Sequence, residues 1–140
     1  MGQAEIVGQG LIEPCPQCGA PLLSVPGQIV VGDRLEWSIS STCNGCKAQI
    51  EYCGADEMPE EFRQVVLARD GVARVRIDPE SARALRVPIL RVLRRYGATV
   101  DEAADTFRRL AGAGLTGTQA EMRLLADRLD AVNAATRLDR

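Results

Sequence analysis

Apolar positions along this chain follow two regimes. From Leu22 to Tyr52 they keep the two-residue period of a strand. Ile29-Val30-Val31 is a short apolar run, Gly32-Asp33 marks a turn, and Leu35, Trp37 and Ile39 then alternate with Glu36, Ser38 and Ser40. Ile50 and Tyr52 resume the alternation. Upstream, Gly2, Gly8 and Gly10 weaken any strand through Ile6 and Val7, so residues 1–12 read as a partly ordered lead-in. Gly54 to Met58 is a junction. Pro59 suits the first position of a helix, with Phe62, Val65 and Val66 on one face as far as Arg69, although Gln64 to Leu67 is also compatible with a strand.

Asp70-Gly71 is a turn, after which Ala73, Val75 and Ile77 alternate with Arg74 and Arg76, predicting a strand from Val72 to Ile77. The period then lengthens to that of a helix. Pro88 opens a helix in which Ile89, Val92, Leu93 and Tyr96 occupy i, i+3, i+4 and i+7, and Gly97 closes it. Thr99-Val100-Asp101-Glu102 is a capping box ahead of the stripe Ala103, Phe107, Leu110, which ends at Gly112. Thr118-Gln119-Ala120-Glu121 is a second box, ahead of a seam of Met122, Leu125, Leu129 and Val132. Ala135-Thr136-Arg137-Leu138 reads as a final edge strand.

The chemistry in the β region lies in Cys15-Pro16-Gln17-Cys18 and Cys43-Asn44-Gly45-Cys46, two C-x-x-C motifs separated by 24 residues. Each turn brings two sulfurs to one side of a tight loop, and two facing loops offer the four thiolates that Zn²⁺ takes in tetrahedral geometry. Gly19 and Gly45 suit backbone that needs positive φ or close approach to sulfur. Two disulfides would need an oxidising compartment, and no signal peptide is legible at the N-terminus. A thioredoxin-type pair would use one C-x-x-C beside a βαβ pattern. Iron in a Cys₄ site stays open, because ligand type does not separate it from zinc. Strands between two knuckles make a zinc ribbon, and so small a unit depends on its metal, which contributes about 10–16 kcal/mol in zinc-finger peptides. Cys53 reads as a small buried apolar residue, with a reserve ligand or reactive thiol as the sharper alternative.

Composition narrows the function. With 140 residues, 46% of them hydrophobic, the chain holds one or two small domains with a modest core. A net charge of −2 and a pI near 5.2 argue against a general nucleic-acid binder. No 18-residue apolar run is present, so no membrane span is expected. Met1-Gly2-Gln3 begins like a myristoylation signal, but Ile6 stands where Ser or Thr is required. A soluble cytoplasmic protein is the expectation. The chain has no histidine, which removes Cys–His and Ser–His catalysis and the usual general base near neutral pH. Two complete cysteine pairs also leave no open metal position of the kind a catalytic zinc keeps. Lys47 stands alone among sixteen arginines, a bias expected of a GC-rich genome, so arginine number by itself is not read as phosphate binding.

Residues 72–140 resemble the C-terminal domain of the bacterial ribosomal stalk protein. The resemblance is carried by Arg86-Val87-Pro88-Ile89-Leu90-Arg91-Val92-Leu93-Arg94, which looks like that family's basic first helix. It is carried also by Val100-Asp101-Glu102-Ala103, where the family has a Leu-Lys-Glu-Ala start to its second helix. It implies a compact βααβαβ-like domain rich in helix, whose first two helices dock acidic surfaces of partner proteins. By position, Arg86, Arg91 and Arg94 match basic contact residues, and Val87 and Leu90 match exposed apolar ones. Asp101, Ala104 and Asp105 replace lysines expected on the second helix, and a zinc ribbon is foreign to that family.

The expected fold class is therefore α+β: a small antiparallel zinc ribbon with its lead-in over 1–56, a connecting helix over 57–71 and the stalk-like domain over 72–140. The function this supports is a non-enzymatic adaptor with structural Zn²⁺ on Cys15, Cys18, Cys43 and Cys46. It docks a protein partner with an acidic surface through the basic face near 88–96, and one version of the role is an inhibitor or immunity-type protein. The alternative is a zinc-ribbon nucleic-acid-binding or transcription/translation factor. The ribbon's Arg34 and Lys47 are outweighed by Glu13, Asp33, Glu36 and Glu51, and Trp37 and Tyr52 read as core rather than as stacking platforms. An enzyme would have to build its site from Asp56, Glu57, Glu60 and Glu61, a run that suits a helix N-terminus instead.

Overall fold

The computed structural model describes residues 4–140, so the Met1-Gly2-Gln3 motif lies outside the described residues. The chain is α+β and divides into two compact units, one ending at Gly71 and the other running from Val72 to Arg140.

In the first unit five strands form an antiparallel sheet in sequence order: β1 (Glu5–Val7), β2 (Gly10–Pro14), β3 (Pro21–Val31), β4 (Arg34–Cys43) and β5 (Gln49–Ala55). Of the glycines expected to weaken the first strand, Gly2 lies outside the described residues, Gly8 makes the turn and Gly10 opens β2. Gly8 takes a φ of 54°, and Val7 pairs with Gly10, so the lead-in is a hairpin added to the sheet edge. The alternation predicted around Leu35 and Ile39 holds, and both are buried on the face that also carries Ser41 and Cys43. In register with them stand Leu22, Ser24, Pro26 and Val30 of β3. Ser24 and Ser41 are buried directly opposite each other and satisfy one another at 2.6 Å between hydroxyls.

Helix α1 (Glu60–Asp70) belongs to this unit's core. Phe62, Val65 and Val66 pack with Leu11, Ile39 and Met58, and the half-buried Trp37 closes the cluster. The Trp37 indole N–H donates to the Glu57 carbonyl at 3.1 Å. Its ring lies where a Cβ on Gly54 would stand, so glycine is required there. Two expectations are corrected on β5. Tyr52 is 58% exposed rather than core, and Cys53 is exposed rather than buried. As the outermost strand of the sheet, β5 has neighbours on one side only.

In the second unit β6 (Ala73–Ile77) lies between β7 (Leu115–Gly117) and β8 (Thr136–Asp139), antiparallel to both. Ala73, Val75 and Ile77 are buried and Arg74 and Arg76 exposed, as the alternation requires. The element order is β6-α2-α3-α4-β7-α5-β8, which departs from the expected βααβαβ by one extra helix, α2 (Pro79–Ala84). Its signal is present in Asp78-Pro79-Glu80-Ser81. The Asp78 carboxylate accepts from the Ser81 N–H, proline fills the first helical position, and glutamate sits in the first turn. Helix α3 (Arg86–Arg95) starts two residues before Pro88, whose missing N–H falls among the first-turn donors that have no helical partner. Both expected capping boxes are formed, Thr99–Glu102 on α4 (Val100–Ala111) and Thr118–Glu121 on α5 (Gln119–Asp130). The core joins the β6 residues to Ile89, Phe107, Leu110, Met122, Ala126 and Leu129. Tyr96, expected in the buried stripe, is 40% exposed; the Arg128 guanidinium lies over its ring at 3.4 Å. No described helix is long and apolar enough to cross a membrane.

Candidate functional site

The loop after β2 ends opposite the point where the loop after β4 begins, because Leu22 at the start of β3 pairs with Cys43 at the end of β4. The two C-x-x-C loops have the same backbone construction. Cys15 N–H donates to the Ala20 carbonyl at 2.8 Å, and Cys43 N–H donates to Ala48 at 3.0 Å. The residue after each second cysteine is left-handed: Gly19 at φ 77° and Lys47 at φ 64°. Two residues past each first cysteine a backbone N–H points at that cysteine's sulfur, Gln17 to Cys15 at 3.4 Å and Gly45 to Cys43 at 3.3 Å. Gly45 is needed for close approach. A Cβ there would come within 2.7 Å of the Ala20 Cβ and 3.3 Å of the Cys18 sulfur.

The result is four sulfurs all within 4.8 Å of one another. Cys15 and Cys46 are separated by 3.9 Å and Cys18 and Cys43 by 3.5 Å, and all five cysteines of the chain are free thiols. A tetrahedral ion with metal–sulfur bonds of about 2.3 Å needs sulfur–sulfur edges of about 3.8 Å. The donor set fits that requirement, whereas a disulfide needs about 2 Å. Cys15 and Cys43 are buried with Leu22, Ala20 and Ala48 around them, and Cys18 and Cys46 are exposed.

Electrostatics separate the thiols. Cys43 is lowered to about 6, first by the Cys46 backbone N–H and then by the Cys18 thiol and the Gly45 N–H, against the cost of burial. Cys46 is raised to about 11. The Ala48 N–H pulls it down, but desolvation and the neighbouring Cys18, Cys43 and Cys15 sulfurs outweigh that pull. The opposite shifts of Cys43 and Cys46 have one cause in common: a second negative charge among sulfurs under 4.8 Å apart is unfavourable until a cation neutralises it. Cys53 does not join the group.

The residues expected to meet a partner divide into two sets. On α3 Arg91, Arg94 and Arg95 are exposed, Val87 is 58% exposed, and among the described residues no acid pairs with Arg91 or Arg94. Leu90, expected as an exposed apolar contact, is half-buried and packs against the core, as Leu93 one turn on also does. Arg86 is not free either: its guanidinium lies over the Phe107 ring, 5.2 Å from the centroid. On α4 Asp105 pairs with Arg108 at 3.4 Å and with Arg109 at 3.1 Å, so those two arginines share a carboxylate, which Arg91 and Arg94 of α3 lack among the described residues.

Helix α3 also departs from the construction of its neighbours. Helices α2, α4 and α5 each begin with a side-chain cap and an acid in the first turn. Helix α3 begins at Leu85 with neither, and with Arg86 in the turn where the helix dipole disfavours a cation. It carries four arginines and no acid over ten residues.

Sequence reasoning missed α2 and the cleft beside it. Pro79, Ala82, Arg83, Arg86, Phe107 and Ala111 line a depression of about 270 Å³. The chain matches no family model, no curated protein and no solved structure.

Proposed function

We propose that this protein is a non-enzymatic interaction module, in which four cysteines hold a structural Zn²⁺ in the first unit and the second unit docks a protein partner with an acidic surface. The observation that carries the docking half is α3, four arginines without an acid, with Arg91 and Arg94 exposed and Val87 standing out beside them. Arginine next to an apolar anchor is the composition of interface hot spots, whereas a merely solvated helix face usually interleaves both signs. The resemblance of residues 72–140 to the ribosomal stalk domain points to the same helix. An adaptor and an inhibitor of the immunity type are two forms of this role.

Charge reversal tests it. In pull-downs from the native cell, Arg91→Glu/Arg94→Glu should abolish capture of the partner and leave stability within about 0.5 kcal/mol, as expected of exposed positions. Undiminished capture by the double variant would overturn the assignment.

Nucleic acid is the second candidate partner, and one observation favours it. Residues 72–140 carry thirteen arginines against nine acids, while the first 71 residues carry four cations against ten acids. The basic excess is therefore local, and the whole-chain charge hides it. Against it, the arginines on the exposed sheet face are already engaged. Arg76 and Arg137 share Asp139, and Arg74 donates to the Ala113 carbonyl. Binding to mixed DNA or RNA at low salt, with a steep loss as salt rises, would favour this partner.

A further inference from the structure

The cleft between α2 and α4 has an apolar lining of Pro79, Ala82, Phe107 and Ala111, with two guanidiniums, Arg83 and Arg86, lining it as well. Its volume of about 270 Å³ lies below the roughly 300–1,000 Å³ of small-molecule and cofactor pockets, so it suits a single side chain better than a bound metabolite. Ala82 is 2% exposed and Phe107 7%, so the cleft is held open by residues fixed in the core. Arg83 is exposed, and among the described residues no acid pairs with Arg83 or Arg86. The Arg86 guanidinium carbon lies 5.2 Å from the Phe107 centroid, a contact that takes up no carboxylate. The guanidinium's planar fork of N–H donors is the group that matches a carboxylate.

We infer that this cleft is the anchor point of the docking surface, taking one apolar side chain of an acidic peptide segment while Arg83 and Arg86 bind the flanking carboxylates. The inference rests on the reading of α3 as a docking helix. The cleft extends that surface past Arg86 onto α2, the helix that the sequence pattern did not predict. Charge complementarity selects the occupant. An apolar segment without acids would leave both guanidiniums against it without partners, and an acidic segment without an apolar residue would leave the cleft unfilled.

The test uses the full metal-loaded chain, isotopically labelled, titrated with the peptide Asp-Glu-Asp-Phe-Asp-Glu-Asp and followed by NMR chemical shift. The expected result is shifts centred on Ala82, Arg83, Arg86, Phe107 and Ala111. Replacing the peptide's phenylalanine by alanine, or Arg83→Glu in the protein, should each weaken binding by about tenfold or more. Ala111→Leu, which fills the cleft without touching its charge, should do the same. Shifts confined to Arg91 and Arg94 and indifferent to the phenylalanine would overturn the cleft while leaving the docking helix in place. Equal affinity of the two peptides, spread over every arginine, would reduce the cleft to general electrostatics and overturn it. Shifts in these residues that follow protein concentration without peptide would assign the cleft to a second copy of the chain. No shift anywhere would remove both the cleft and the docking helix.

Discussion

Lys47 and Gly19 hold the same place in two copies of one turn, yet only one of them is glycine. Both follow the second cysteine of a C-x-x-C and both are left-handed, at φ 64° and 77°. Glycine occupies that region without penalty, whereas an L side chain loses roughly 1–2 kcal/mol. Lys47→Gly should therefore raise the stability of the metal-loaded protein by about 1 kcal/mol, measured by thermal or denaturant melts. A lower melting point would show that the lysine side chain contributes something the turn geometry does not reveal. The cysteine spacing, Gly19 and Gly45 were legible because each states a geometric need in its own residue type. Lys47 was not legible, since lysine carries no turn preference and only the fold reveals its backbone. Tyr52 and Cys53 were misread for a related reason: alternation identifies the strand but not whether anything covers its outer edge.

At the level of elements, helix α1 shows how a segment labelled a connector becomes core. Its last turn is tied to the sheet by Arg69, which donates to the Pro26 carbonyl at 2.7 Å and the Gln9 carbonyl at 3.3 Å. The guanidinium is held in that pose by Asp70, through two bonds of 2.9 and 2.8 Å. Arg69 in turn depresses the Asp70 carboxyl below its ordinary value. A depressed carboxyl stabilises the fold above its unfolded-state pKa near 3.8, and that contribution is lost as pH falls through the native value. Asp70→Asn should accordingly cost about 0.5–1 kcal/mol at pH 7, the pair being partly exposed, and the gap to wild type should close as acid carries the pH below the ordinary carboxyl value of 3.8 and through the depressed native one. A gap that persisted there would assign the loss to packing rather than charge. In the second unit, Thr118 is fully buried, and its hydroxyl caps α5 through the Glu121 N–H at 3.1 Å. Thr118→Ala should cost about 1–2 kcal/mol in denaturant melts, and a neutral result would show that the box is incidental. Both boxes were readable because capping is a local code. Helix α2 carried the same kind of code in Asp78-Pro79-Glu80-Ser81, but at six residues it is too short for an apolar period to announce it. Residues Gly10 to Pro14 were unreadable for the opposite reason, since this strand lies between β1 and β3 and owes its form to those two neighbours more than to its own pattern.

At the scale of the whole molecule, two units of different construction share one chain. The second has a continuous apolar core of β6, α3, α4 and α5 residues. The first divides its interior into two smaller clusters, one under α1 and one made of Cys15, Leu22 and Cys43. The latter is too small to hold two loops by burial alone, and a metal ion bound by four thiolates is what would stabilise it. The charge is divided in the same way, with the acidic excess before Gly71 and the basic excess after it. This division was present in the sequence but was obscured by the total of −2. The cysteines, by contrast, announced their own convergence, because a C-x-x-C sets the local geometry wherever the rest of the chain places it.

The most direct test is metal analysis of the purified full chain by mass spectrometry, joined to X-ray absorption at the metal edge before and after chelation. The account predicts one zinc per chain in a shell of four sulfurs at about 2.3 Å. Removing it should unfold residues before Gly71 and leave the melting of residues 72–140 in place. A folded protein without bound metal, or a zinc ion coordinated by oxygen and nitrogen, would contradict it.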